Sequence, residues 1–162
     1  VLRLAGVALA VWVADTRSAT ERRSEQLAAA RGNIAYKVVL ISDTVRGLLL
    51  DPRNELEKRQ MREAEADLAS QLKFIQTEFA DFPDLLQSVG NLSEFTLRTL
   101  ADFHRQVLDM AETDSASAVM LYVKDYPDIR NTRSKLFKDL TFQVERVRNT
   151  EAIHANAPPS TR

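Results

Sequence analysis

The chain has 162 residues, 28% of them charged and 44% hydrophobic, so it is long enough for one globular domain and too apolar to be disordered. Four glycines and five prolines are too few for the frequent turns of a β-sandwich or barrel, which leaves long helices. The formal charge of −1 offers no basic surface for nucleic acid, and the absence of cysteine excludes disulfides, thiolate metal ligands and cysteine nucleophiles.

The first predicted element is a continuously apolar segment. Residues 4–13 carry no charged side chain and end near Trp12, an aromatic residue of the kind found at membrane–water interfaces. Their number is about half of the roughly 20 residues that cross a bilayer. We expect residues 1–14 to be the remnant of a truncated first transmembrane helix; a buried terminal helix or a signal-peptide core is the alternative.

Seven apolar residues then follow one another at spacings of three and four, which is the pattern of a heptad seam. The helix that they predict continues directly from the apolar start. It stops at Asp51-Pro52, because proline disfavours helical backbone at the residue before it. We expect Asp51 to cap the second helix and Pro52 to take its first position. The seam consists of Leu27, Ala30, Ile34, Val38, Ile41, Val45 and Leu48.

Two further breaks bound three more helices, one at residues 81–83 and one at residues 112–115, where Asp114 or Ser115 is expected to act as an N-cap. Pro127 lies inside the last helix and predicts either a kink or a separate helical turn before it. Each helix carries an apolar stripe. The stripes are Met61, Ala64, Leu68, Leu72, Ile75 and Phe79; Val89, Leu92, Thr96, Thr99, Phe103, Val107 and Met110; and Ala118, Tyr122, Ile129, Leu136, Leu140, Val144 and Val147.

Four helices with short connections predict an all-α fold, an antiparallel up-down-up-down four-helix bundle. Its long first helix is expected to continue from the truncated transmembrane segment and to overhang its partners. The bundle would span residues 15–155. Residues 156–162, which include two prolines, are expected to form a disordered tail.

Sequence motifs for catalysis are missing. No phosphate-binding glycine loop, zinc-ligand spacing, haem attachment motif or nucleophile elbow occurs. His104 and His154 fall on different predicted helices, and neither belongs to the Glu-x-x-His pattern of di-iron bundles. We expect both histidines to be solvated or at the rim of the bundle. The sequence therefore predicts no catalytic residue, metal or cofactor, and a protein that is not an enzyme.

The segment Val45-Arg46-Gly47-Leu48-Leu49-Leu50-Asp51-Pro52-Arg53-Asn54 resembles the end of the first helix in a family of four-helix-bundle sensor domains. These are the ligand-binding domains of bacterial methyl-accepting chemotaxis proteins and of some sensor histidine kinases. The similarity continues through the charged second helix to Tyr122–Arg130. It implies an extracytoplasmic sensor of a transmembrane chemoreceptor or a histidine kinase, placed in the periplasm, anchored in the inner membrane by flanking helices and usually a homodimer.

In the aspartate and serine receptors of this family, arginines of the first helix hold the ligand carboxylate at the dimer interface. Arg46 matches one of these arginines. Ser42 and Lys37 stand where the other two would be, and Asp128 stands where the family has a ligand-contacting threonine. These departures place the familiar mode of amino-acid binding in doubt and leave an altered anion site.

The residues themselves point to the same end of the bundle. A guanidinium at Arg46 is suited to a bidentate grip on a carboxylate. Tyr122, Tyr126 and Arg130 are four residues apart and share a helix face near it. We therefore expect Arg46, Ser42, Lys37, Tyr122, Tyr126 and Arg130 to bind a small, anionic organic acid or amino acid. In the alternative interpretation, the tyrosines pack at the rim, Arg130 pairs with Asp128, and the bundle is a ligand-free scaffold or binds a protein partner.

Overall fold

A computed structural model of the chain describes the backbone of Leu2–Asn156 and the side chains of residues 19–155. The described backbone contains helices and no strand, so the predicted all-α class is confirmed. Two helices are joined end to end through a π-helical segment, and the chain therefore forms a bundle of four helical stretches. These elements are α1 (Leu2–Leu50), α2 (Glu55–Glu78), α3 (Pro83–Glu94), the π segment (Phe95–Leu100), α4 (Ala101–Ala111) and α5 (Ser115–Asn156).

Helix α1 is 49 residues long, about 70 Å at 1.5 Å per residue. All seven residues of its predicted seam are buried, which confirms the heptad interpretation. The seam packs against α2 and α5. On α2 the predicted stripe is confirmed as well, since Ala64, Leu68, Leu72, Ile75 and Phe79 are buried and Met61 is partly buried against the core.

The first turn differs from the prediction. Helix α2 begins at Glu55, and its N-cap is Asn54, whose Oδ1 accepts the Glu57 N–H at 3.2 Å. The Asp51 side chain accepts the Arg53 N–H at 3.3 Å, its backbone carbonyl accepts the Asn54 N–H at 3.1 Å, and Pro52 remains in the turn. The predicted cap at Asp51 was therefore wrong, because Asn54 supplies an equally good acceptor three residues later. At the last turn Asp114 does cap α5, accepting the Ser117 N–H at 3.0 Å.

The π segment shifts the core face of the third helical stretch. Thr99 was predicted to face the core but is exposed, and Leu100 is buried in its place. Further along, Ala111 is buried where Met110 was predicted, and Met110 is only partly buried. A π turn accommodates one residue more than an α turn, so every side chain after it rotates relative to a regular helix. The sequence prediction assumed an unbroken α-helix and was wrong at Thr99 and Met110 for this reason, whereas the predicted Phe103 and Val107 are buried.

The apolar core is divided into two clusters. Along α1 the larger cluster ends at Ile41 and the smaller one begins at Val45, with the buried Ser42 between them. Arg133 of α5 donates to Ser42 Oγ across this junction at 2.8 Å. Ser42 and Arg133 are hereafter called the polar layer. The larger cluster consists of Leu27, Ala30, Ile34, Val38, Ile41, Ala64, Leu68, Leu72, Ile75, Phe79, Leu85, Val89, Leu92, Leu140, Val144 and Val147; the smaller one of Val45, Leu49, Phe95, Leu100, Phe103, Val107, Ala111, Ala118 and Tyr122.

Arg23 ties together three elements at one end of the bundle. Its guanidinium forms ion pairs with Asp81, in the turn after α2, and with Glu151 near the end of α5, the latter at 2.9 Å. It also donates to the Glu78 carbonyl at 2.7 Å and lies 4.8 Å from the centre of the Phe79 ring. The pKa of Asp81 is lowered by the hydrogen bond from Arg23, as expected for a carboxylate that is held in its charged form.

At the other end, Ser115 Oγ donates to the Leu49 carbonyl at 3.0 Å, so the start of α5 lies against the end of α1. Helix α5 continues through Pro127 without interruption, and the alternative of a separate helical turn before it is wrong. Within the described part of the chain, no helix combines the length and the apolar character needed to span a bilayer. The side chains of the predicted transmembrane remnant (residues 1–14) and the predicted tail after Asn156 lie outside the described residues.

Candidate functional site

Three of the predicted site residues come together between α1 and α5. Tyr122 and Tyr126 stack with ring centroids 4.6 Å apart, and Phe103 of α4 lies 6.0 Å from the Tyr122 ring on the inner side. The two tyrosine hydroxyls raise the pKa of Arg46 of α1, which places its guanidinium beside them. Arg46 itself is 56% exposed and pairs with Asp43 at 3.2 Å. The exposed guanidinium of Arg46 therefore lies next to two phenolic side chains.

Both tyrosine hydroxyls are buried, yet neither makes a hydrogen bond of regular geometry with any described residue. Their contacts with Arg46, and that of Tyr126 with Ser42, shift the pKa values of these groups without forming a hydrogen bond of regular geometry. A buried hydroxyl without a partner costs roughly 1–3 kcal/mol. Such groups are retained where a binding partner can satisfy them.

The polar layer lies next to this pair of tyrosines. Arg133 lies 5.9 Å from the Tyr126 ring centroid while it donates to Ser42 Oγ. Ser42 in turn donates to the Val38 carbonyl at 3.0 Å. Both functions of the Ser42 hydroxyl are therefore occupied, and Ser42 positions Arg133 in this arrangement.

The pKa of Tyr126 reports the electrostatics of the site. Burial raises the pKa of a phenol, but the nearby Ser42 hydroxyl, the charge of Arg133 and the nearby Arg46 guanidinium outweigh burial, and the pKa of Tyr126 is lowered. Tyr122 has the opposite net shift, since burial is its largest influence and raises its pKa. The potential next to Tyr126 is therefore positive, as an anion-binding site requires.

The other predicted residues lie elsewhere. Lys37 forms an ion pair with Asp67 of α2 at 2.5 Å, away from the tyrosines. Arg130 and Asp128 are exposed on α5. Among the described side chains, neither forms a hydrogen bond or ion pair with Arg46, Tyr122 or Tyr126, which are hereafter called the Arg46 cluster. The geometry of α5 explains why Arg133 takes the place expected for Arg130. At about 100° per residue, Tyr126 is about 40° around the helix from Tyr122, position 133 about 20° and position 130 about 80°. Arg133 therefore shares the helix face of the tyrosines and lies next to Tyr126, and the i+11 spacing from Tyr122 is the signal that would have identified it.

His104 corrects a second expectation. It is 1% exposed, so the prediction of a solvated or rim residue was wrong, whereas His154 is exposed as predicted. Burial, followed by the charge of Arg133, lowers the pKa of His104 from an ordinary 6.5 to about 4. The imidazole is neutral at physiological pH, and neither ring nitrogen has a hydrogen-bond partner among the described residues. Once the π segment has shifted the register, His104 lies four residues after the buried Leu100, on the core-facing side.

No group of three or more His, Cys, Asp or Glu residues in the described part of the chain is placed to hold a metal ion. Comparisons with protein families, with curated proteins and with solved structures found no match. The chemistry of the site therefore rests on its own residues. It consists of two guanidinium groups, two unpartnered phenols and a positive local potential, and it contains no arrangement of nucleophile and base.

Proposed function

We propose that the chain is the ligand-sensing domain of a bacterial transmembrane chemoreceptor, an up-down-up-down bundle that binds a small organic acid or amino acid between α1 and α5. The observation that carries this proposal is the pair of buried, unpartnered hydroxyls of Tyr122 and Tyr126 beside the exposed guanidinium of Arg46. A carboxylate at this position would accept hydrogen bonds from both phenols and pair with Arg46. Arg133 contributes positive charge from behind the ring of Tyr126.

A second copy of the chain fits the proposed architecture. Outside its buried seam, α1 presents a further stripe at spacings of three and four, on which Tyr36 and Leu50 are exposed by 62% and 85%. Val39 lies on the same stripe and is also exposed. Such a stripe is the seam of a two-stranded coiled coil. Because Arg46 belongs to it, a homodimer along α1 would bring the ligand site to the subunit interface.

The proposed signal is a displacement of α5 relative to α1. Both helices contribute to the ligand site, and both extend from it to the opposite end of the bundle, where Arg23 and Glu151 join them. A ligand shifts such an equilibrium only through a difference in its affinity for the two states. The flanking helices would then carry the displacement from the periplasm across the inner membrane to a cytoplasmic output module.

The test is a calorimetric and thermal-shift titration of the domain with a panel of organic acids and amino acids. At least one anion is expected to raise Tm, and Arg46→Ala is expected to weaken its binding tenfold or more, as is typical of a lost charged hydrogen bond. Arg98→Ala is the matched control, since Arg98 is exposed and pairs only with Glu94 on its own helical stretch, at 3.0 Å. The anion site is refuted if no acid binds to the domain. It is also refuted if the Arg46→Ala and Arg98→Ala variants bind the acid with equal affinity.

A second candidate is a bundle that binds a protein partner and no small ligand. It is favoured by an exposed apolar patch on α5, where Met120 and Val123 are 70% and 66% exposed. The same titration discriminates the two functions, because a partner-binding bundle would show no response to organic acids.

A further inference from the structure

A second candidate site is lined by none of Arg46, Tyr122 and Tyr126. A cleft of about 320 Å³ opens between α2 and α4, next to the end of α1. A neighbouring cleft of about 230 Å³ lies alongside it, and the two share Glu65, Ala101, His104 and Arg105. The larger volume is at the lower end of the range for ligand pockets and suits a molecule with a single six-membered ring.

His104 is the polar group at the base of this cleft. The side chain is 1% exposed and lines both clefts, and neither nitrogen has a partner among the described residues. Its neutral imidazole offers one donor and one acceptor. A buried polar group of this kind costs free energy unless something bonds it, so its retention in an otherwise apolar wall needs a reason. The wall around it is formed by Leu48, Met61 and Leu108.

The charges at the rim of the cleft cancel. Three cationic and three anionic side chains line it, and Lys58 pairs with Glu112 at 3.6 Å. Glu65, which lines both clefts together with His104, is half-buried, and burial raises its pKa while Arg105 and Arg62 lower it less. A bound carboxylate would face Glu65 and gain no net attraction. The six charged residues are Lys58, Arg62, Glu65, Arg105, Asp109 and Glu112.

The backbone next to the cleft contains the π segment. The π segment ends at Leu100, immediately before Ala101 and one turn before His104, and Leu97 and Leu100 line the smaller cleft. π-helical segments inside α-helices are retained mostly at functional sites, because the inserted residue weakens regular hydrogen bonding. Here the inserted residue is what turns His104 towards the interior.

We infer that the cleft between α2 and α4 is a binding site for a neutral, single-ring molecule bearing one hydroxyl group, which exchanges a hydrogen bond with His104 while its ring packs on Leu48, Met61 and Leu108. The hydroxyl matches an imidazole that both donates and accepts. The balanced rim favours a neutral ligand over an acid or an amine. The proposed ligand makes its contacts with other residues than Arg46, Tyr122 and Tyr126, and this inference goes beyond the proposed function.

The test uses benzyl alcohol, benzoate, benzylamine and toluene as probes of the domain, with binding followed by calorimetry and by amide chemical shifts. Benzyl alcohol is expected to bind best, with benzoate and benzylamine at least tenfold weaker. His104→Leu is expected to weaken benzyl alcohol about fivefold, the value of one neutral hydrogen bond, and to leave toluene unaffected. Ala101→Leu, which fills the space shared by the two clefts, is expected to abolish binding of both.

Arg146→Ala is the control, since Arg146 pairs with Asp84 at 3.0 Å in a different part of the bundle. The affinity of the Arg146→Ala variant for benzyl alcohol should equal that of the unchanged protein. His104→Phe removes both ring nitrogens, keeps a planar ring and serves if the leucine variant does not fold; a retained affinity within twofold for this variant would overturn the role of the imidazole. Failure of benzyl alcohol to bind, or equal binding by the Ala101→Leu variant, would overturn the site itself. Tighter binding of benzoate or benzylamine would overturn the neutral ligand class.

Discussion

The burial of His104 makes a quantitative prediction for the pH dependence of stability. Its pKa is about 4 in the folded chain and 6.5 when unperturbed, as in the unfolded chain. As the pH falls below 6.5, the imidazole binds a proton in the unfolded state, whereas in the folded state it stays neutral down to about pH 4. The free energy of unfolding therefore decreases between these two pH values. Between pH 7.5 and pH 5.0 this one group should remove about 2 kcal/mol of stability.

The assay is urea denaturation of three proteins at both pH values. Carboxylates also titrate in this range, so the informative quantity is the difference between proteins in the stability that each loses. His104→Leu has no proton to bind at this position and should lose about 2 kcal/mol less than the unchanged chain. His154→Gln removes the exposed histidine and should lose as much as the unchanged chain. Equal losses in the unchanged chain and in His104→Leu would refute the assignment of a buried, neutral imidazole.

Two further predictions concern the ends and the register of the bundle. Arg23→Ala is expected to destabilise the chain by about 2 kcal/mol, because it leaves the nearly buried Glu151 without its cation, and the loss is measurable by thermal denaturation. Leu100→Ala is expected to cost about 3 kcal/mol, and Thr99→Ala to stay within about 0.5 kcal/mol, because the π segment places Leu100 in the core and Thr99 in solvent.

The controls for these two predictions are internal. Arg105→Ala removes an arginine that is 68% exposed and pairs with Asp102 on the same helix, so it should change stability by less than about 0.5 kcal/mol. A loss from Arg23→Ala no larger than that would show that its ion pairs contribute nothing. A greater loss from Thr99→Ala than from Leu100→Ala would place the third helical stretch in a regular α register.

The helices and most of their buried faces could be predicted because apolar spacing is a direct consequence of helix geometry. The α1 seam from Leu27 to Leu48 is the clearest case. The same reasoning failed at Thr99 and Met110 but held at Phe103 and Val107, since one inserted residue rotates the helix face only in part. The spacing of four from Thr96 to Leu100 and again to His104 was the only trace of it in the sequence.

The candidate site was predictable only in part. The two tyrosines are one turn apart, so the sequence alone places them together, and Arg46 was placed near them by the turn positions. Arg133 lies about three turns after Tyr122, so its prediction requires the angular position of each residue around the helix axis. Steps of four residues move about 40° around the axis each time, and they lead to the wrong face after three turns. His104 could not be identified from its residue type, because an imidazole on a helix reveals neither its burial nor its partners.

The polar layer has a consequence for how the bundle opens. Among the described hydrophobic residues, Met61 and Leu136 pack against both clusters, while Ser42 and Arg133 place a hydrogen bond between side chains at the junction. Such a hydrogen bond contributes less free energy than the packing on either side. We therefore expect the smaller cluster, around Val45 and Phe103, to open at lower cost than the larger one. Partial opening of the smaller cluster exposes both the Arg46 cluster and the His104 cleft while the larger one stays intact.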